Sequence, residues 1–227
     1  MEIVTFPVNV LIEGITDEAV VRRILEYVGL TCGTVYGKSG KGPLLQRLPN
    51  YNQAARFVPW LVVVDLDQDA ECAPPFVQSV LLNPAGGMQL RVAVRAVEAW
   101  LLADAERLAD FLGIRAAKIP PNPDAEPDPK TTLVNLARRS RRRTIREDIV
   151  PREGSGSRVG PGYAGRLIEF VMTAGRAPKA LSRPFRSPRN TSANSTKTSP
   201  TVTTPTTRPT SPRCASSPSP TASRSWL

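Results

Sequence analysis

Short, almost continuous apolar runs alternate along the first half of this chain with stretches in which apolar residues recur every three or four positions. The run Val8 to Ile12 ends at Glu13-Gly14, and Val21, Ile24, Leu25 and Val28 then repeat at i, i+3, i+4 and i+7 before Gly29. That order predicts a strand, a turn and an amphipathic helix, with Thr16 or Asp17 as its N-cap. A second β-like run, Leu30 to Tyr36, opens into the glycine-rich stretch Gly37 to Gly42. Pro43 to Ala55 has helical character that Pro49 is expected to interrupt or end. Trp60 to Val64 is apolar throughout, as parallel strands covered on both faces tend to be. It delivers Asp65-Leu-Asp67-Gln-Asp69 at its carboxyl end.

Beyond a loop through Pro74-Pro75 and a short helix, Met88 to Val94 predicts a fourth strand. Ala96 to Leu112 predicts one long helix, with Val97, Leu101, Ala105, Leu108 and Leu112 along one face and Gly113 as its stop. Strands alternating with helices in this way predict an α/β fold, a parallel sheet of about four strands with helices on both faces. Residues 119–130 form a proline-rich surface loop, after which Asp128-Pro129 supplies an N-cap and a first-turn proline for a helix through Leu133 and Leu136. That helix is expected to finish in the run Arg138 to Arg143. A second glycine loop, Gly154 to Gly162, precedes a last short helix, Tyr163 to Met172. There is no internal repeat.

Composition divides the chain. Up to residue 175 there are 21 Lys and Arg against 20 Asp and Glu, whereas residues 176–227 carry 9 Lys or Arg and no acid. Ser, Thr and Pro fill 30 of those last 52 positions. Such a segment has too little apolar surface to offset the entropy of ordering it and is expected to be a disordered tail. The net charge of +10 is therefore largely a property of that tail, not of a basic face on a folded body. Three domains of composition follow: an α/β domain over residues 1–115, a helical extension of it over 116–175, and the tail.

Cys32, Cys72 and Cys214 are scattered, and with no His to complete a metal set they argue against a disulfide framework and a structural zinc. Glu2 stands where a secretory leader would be basic, and no apolar run approaches the ~18 residues of a membrane span. A cytoplasmic protein away from the membrane is the expectation.

Functional crevices in open parallel sheets lie beyond the carboxyl ends of the strands, where Glu13, Asp65 and Asp67 all fall. Strand alternation would place Asp65 and Asp67 on one side, and three acids converging there would repel one another unless a hard cation filled the gap. Mg2+ takes oxygen ligands and keeps waters that a phosphate can replace. Taken alone, Asp-x-Asp reads equally as a solvated loop or a set of helix N-caps. Glu98, one step off the apolar face of its helix, either adds a carboxylate to the same crevice or is an exposed or N-cap-proximal residue favoured by the helix dipole. Trp100 is read as a core residue.

The joint pattern of Glu13-Gly-Ile-Thr-Asp17 after the first strand and Asp-x-Asp after the third resembles the Toprim fold of topoisomerases, primases, small recombination nucleases and overcoming-lysogenization-defect nucleases, over residues 7–112. More narrowly, the helix Ala96-Val-Glu-Ala-Trp-Leu-Leu-Ala-Asp104 and the loop Gly160-Pro-Gly-Tyr163 followed by Leu167-Ile-Glu-Phe170 resemble the DUF4276 family, a Toprim-related group often encoded beside ATPases. The resemblance implies Glu13 as metal ligand or general acid/base, Asp65 and Asp67 as holders of Mg2+ or Mn2+, and Asp69 and Asp17 as further candidates. It implies a metal-dependent nuclease or phosphodiester-transfer protein, acting with an AAA- or ABC-type ATPase in defence against foreign DNA. The alternative is a non-catalytic module that docks on such an ATPase and senses nucleic acid or a phage component. A small-molecule phosphotransferase would use the same acids. Family members are expected to continue past Phe170 into another charged helix, where this chain loses every acid. Either the reading frame changes near residues 171–175 or the tail is an interaction segment.

The loop Gly33 to Ser39 has three residues between its glycines where a P-loop needs four, which excludes nucleotide hydrolysis of that type. Lys38 and Lys41 remain candidates to touch a phosphate from a glycine-rich turn. Arg138, Arg139, Arg141, Arg142 and Arg143 form the best basic patch of the folded part, suited to sequence-blind phosphate contacts; the helix macrodipole alone also favours arginines at a helix end. Lys130, Arg152 and Arg158 would extend that patch if the fold gathers them.

Overall fold

The computed structural model describes residues 6–173, which belong to one compact unit. The expectations for residues 176–227 lie outside the described residues. Four strands, β1 (Val8–Ile12), β2 (Cys32–Gly37), β3 (Trp60–Asp65) and β4 (Met88–Ala93), form a single parallel sheet in the order β2-β1-β3-β4. Among the described residues eight α-helices accompany them: α1 (Ile15–Tyr27), α2 (Lys41–Ala54), α3 (Ala73–Val80), α4 (Val97–Leu102), α5 (Ala105–Leu112), α6 (Pro129–Arg138), α7 (Arg143–Ile149) and α8 (Tyr163–Met172). The expected α/β architecture is therefore present. Among the described residues no helix is long and apolar enough to cross a membrane.

The two-residue period of the strands builds the layers. Leu11, Val62 and Val64 face one side and pack with Leu44 and Leu48 of α2 and Phe76 of α3. Val10, Ile12 and Val63 face the other and pack on Val21 and Leu25 of α1. Behind α1, the helices α4 to α8 enclose a core of their own around Leu101, Leu108, Leu133, Ile149 and Leu167, to which α1 contributes Ala19 and Val20. The helices of residues 116–173 thus cover the outer side of α1 in the same packed layer.

Several local expectations are corrected. α1 starts at Ile15 with Gly14 as N-cap, and Asp17 sits at the third helical position, where its Oδ2 accepts the Gly14 N–H at 2.8 Å. Pro49 lies inside α2 without ending it. A helix-interior proline costs about 3 kcal/mol, but Pro49 is on the exposed side, and burial of Leu44 and Leu48 opposite is worth a comparable amount. Pro74 and Pro75 open α3, where the first-turn amides lack helical partners in any case. The single helix expected over residues 96–112 is two, broken at Ala103-Asp104; Asp104 is buried and ion-paired to Arg107 at 2.6 Å. Trp100 is half-buried and packs against the core, as expected. Cys32 is a free thiol, half-buried at the start of β2.

Candidate functional site

After β1 the chain crosses to β2 on one side of it, and after β2 it crosses back to β3 on the other. The order β2-β1-β3-β4 therefore reverses between β1 and β3, and a crevice opens beyond their carboxyl ends. Glu13 leaves the end of β1 and Asp65 is the last residue of β3. The Asp65 N–H donates to Glu13 Oε1 at 2.8 Å, and Asp65 Oδ1 accepts from the Val97 N–H at 2.9 Å at the start of α4. One oxygen of each carboxylate is thereby fixed by backbone.

Two more acids stand behind this pair, and both are buried: Asp17 at 9 % exposure and Glu98 at 3 %. Glu98 Oε1 accepts from the Tyr163 hydroxyl at 3.0 Å, with Lys130 Nζ at 3.8 Å. Its Oε2 is buried and has no hydrogen-bond partner. Glu98 is thus not exposed, although it does sit in the first turn of α4, where the helix dipole favours an acid. Tyr163 from α8 and Lys130 from α6 bring the C-terminal helices to the site, a contact that no local sequence pattern announces.

The electrostatics follow from burial of like charges. Burial first, then the charges of Asp17, Glu98, Glu13 and Asp67, push Asp65 up to about 8. Burial raises Glu13 to about 7 against the lowering effects of the Asp65 N–H and Lys41. Asp17 rises to about 6, by burial and then the charge of Glu98, against its bond from Gly14. Tyr163 is likewise raised, first by burial and then by Glu98, so its hydroxyl keeps its proton and donates.

Asp67 does not lie beside Asp65 on an extended strand. β3 ends at Asp65, and Asp67 takes a left-handed φ of 49°, which turns its side chain outward to Lys41. Lys41 Nζ, at the first position of α2, reaches Asp67 Oδ2 at 2.5 Å and Asp69 Oδ2 at 2.9 Å. Burial alone would lower the Lys41 ammonium, but these two carboxylates hold it above its ordinary value. Arg95 anchors the same turn through Nη1, which donates to the Asp67 carbonyl at 2.8 Å. Among the described residues the non-glycine positions with positive φ are Lys38, Asp67 and Arg95, which follow β2, β3 and β4 respectively. Left-handed backbone at non-glycine residues is strained, and here it clusters around one crevice.

The basic candidates divide. Lys41 belongs to the crevice, while Lys38 pairs with Glu18 at 2.6 Å. The arginine run is not one helix end: α6 stops at Arg138, and a turn held by buried Ser140, whose Oγ donates to the Leu112 carbonyl, leads into α7. Arg142 donates to the Phe111 carbonyl and Arg143 pairs with Glu147. Lys130 near the start of α6 is at the carboxylates, so the arginines from Arg138 onward stand at the other end of a helix about 15 Å long. Arg158 pairs with Asp128 at the near end.

Carboxylate oxygens in a buried cluster with too few cations are hard donors suited in kind to Mg2+ or Mn2+, and the partnerless Glu98 Oε2 marks an unmet demand for positive charge. As the side chains stand, however, no three Asp, Glu, His or Cys among the described residues are arranged to hold a metal ion. Binding would require side-chain rotation about the anchored oxygens. Comparison with known proteins yields no match to a family model, a curated protein or a solved structure.

Proposed function

We propose that the crevice between the ends of β1 and β3 cleaves or transfers phosphodiester bonds with a divalent cation, Mg2+ or Mn2+, held by Glu13 and Asp65 with Asp17 and Glu98 behind them. The observation that carries the reading is the convergence of four carboxylates at the switch point, three of them raised above their ordinary range by burial and mutual repulsion. When bound, such a cation activates a water and offsets charge developing on a phosphoryl oxygen. Glu13, near neutrality in its protonation, is placed to take or return a proton at its free oxygen. Lys41, steadied by Asp67 and Asp69, supplies positive charge at the rim, where the backbone of the Gly37–Gly42 turn admits a phosphate closely. Tyr163 and Lys130 hold Glu98 in place. The test is cleavage of plasmid DNA or RNA with Mg2+ or Mn2+; activity that survives both Glu13→Gln and Asp65→Asn rules this site out.

One observation favours a second reading, a non-catalytic module docked on an AAA- or ABC-type ATPase: Lys41 already neutralises the outer acids Asp67 and Asp69. Co-purification with a neighbouring ATPase, unchanged by the carboxylate substitutions and without metal-dependent cleavage, selects the second.

A further inference from the structure

At the far end of α6 lies a groove of about 700 Å³ lined by Arg138, Arg146, Arg152, Glu147, Asp148 and Pro151, among others. Its two acids are already engaged. Glu147 pairs with Arg143 at 2.6 Å, and Asp148 pairs with Arg166 at 2.7 Å. Arg146 Nη1 donates to the Ser140 carbonyl, which leaves its charge uncompensated. Arg138 and Arg152 are exposed and form no ion pair with any described residue. The groove therefore presents three guanidinium charges while both acids that line it are already paired. Planar guanidinium groups of this kind match phosphate oxygens.

We infer that this groove anchors the backbone of a nucleic-acid strand whose reacting phosphodiester lies at the carboxylate crevice. The inference rests on the phosphodiester reading above and names its substrate class. α6 joins the two places: Lys130 in its first turn is at Glu98, and Arg138 in its last lines the groove. Its ten residues measure about 15 Å, or four to five steps of about 3.4 Å along a strand. A mononucleotide cannot touch both ends, whereas a polymer can. Arg158, from the loop that also supplies Arg152, reaches Asp128 at the near end of α6, so this loop supplies one basic side chain at each end of the path.

Fluorescence anisotropy with a labelled oligonucleotide in EDTA tests this without any metal chemistry. The double variant R138Q/R152Q is expected to bind about tenfold or more weakly, with a salt slope shallower by about one to two. A control, R47Q/R56Q, changes exposed arginines outside the groove and is expected to bind as wild type. Wild-type affinity in R138Q/R152Q, or no binding by the wild-type protein, overturns the inference. Should the double variant melt early, R152Q alone carries the test, since Arg152 lies in a loop. Glu13→Gln is expected to bind the oligonucleotide at least as tightly as wild type, since it takes a negative charge out of the strand's path, and to lose cleavage. Loss of cleavage there with intact groove binding, or the converse, separates failure of the catalytic reading from failure of the groove.

Discussion

The backbone N–H of Asp65 donates to Glu13 Oε1 at 2.8 Å, across 52 positions of sequence. The bond ties the end of β3 to the end of β1 at the point where strand order reverses. It engages one oxygen of Glu13, while the Val97 N–H at the start of α4 engages one oxygen of Asp65.

Glu13→Gln keeps the accepting oxygen and removes the charge. Metal-supported cleavage is expected to fall by about a hundredfold or more, the usual scale for a lost acid-base or charge-stabilising group. Asp65→Asn is expected to behave alike. Both variants should melt no lower than wild type in EDTA, because each replaces a carboxyl whose charged form burial and neighbouring acids disfavour with a neutral amide of the same shape. A variant that loses activity and stability together would point to a structural role only.

Stability of the metal-free protein should depend on pH in an uncommon direction. A carboxylate whose folded pKa stands above its unfolded value binds its proton more tightly when folded. Its contribution is fully present below the unfolded pKa and disappears as pH rises through the folded one. For Asp65, Glu13 and Asp17 these limits run from ordinary values of 3.8 to 4.5 up to about 8, 7 and 6. Unfolding free energy in EDTA is therefore expected to decline between about pH 4 and 8. Mg2+ should flatten the decline. Chemical denaturation at a series of pH values checks this, and a stability that climbs to pH 8 in EDTA contradicts the cluster.

The strand-end acids were legible in the sequence because their signal is local: an apolar run that stops at a carboxylate. Burial of Glu98 was not, since its neighbours Tyr163 and Lys130 come from α8 and α6, and the helix pattern left Glu98 beside the apolar face rather than on it. Asp67 misled for a physical reason. Period-two alternation holds only while the strand lasts, and β3 ends two residues earlier. The arginine run misled similarly: its helical look concealed Ser140, whose bond to the Leu112 carbonyl fixes a turn.

Lys41 stands where an outer cation would stand, between Asp67 and Asp69. Lys41→Met is expected to free both acids and to tighten Mn2+ binding measured by isothermal titration calorimetry. The metal-free protein should lose about 1 kcal/mol or less, because Asp67 and Asp69 are largely exposed. Unchanged Mn2+ affinity would mean that the outer acids take no part in cation binding.

Tyr163 and Glu98 make the link between the C-terminal helices and the crevice open to direct measurement. Tyr163→Phe deletes the hydroxyl that donates to Glu98 Oε1, while Glu98 Oε2 already lacks a partner. A buried carboxylate with its donor removed costs about 1–3 kcal/mol, so the variant should unfold earlier in EDTA at neutral pH. Glu98→Gln acts oppositely. It removes a charge that raises both Asp17 and Asp65, which should lower their pKa values and shift the pH decline of stability to lower pH. Combining the two changes separates charge from packing: if Glu98 acts through its charge, Tyr163→Phe will cost less in the Glu98→Gln background than alone. Equal costs in both backgrounds would show that Tyr163 serves packing and not the orientation of an anionic Glu98.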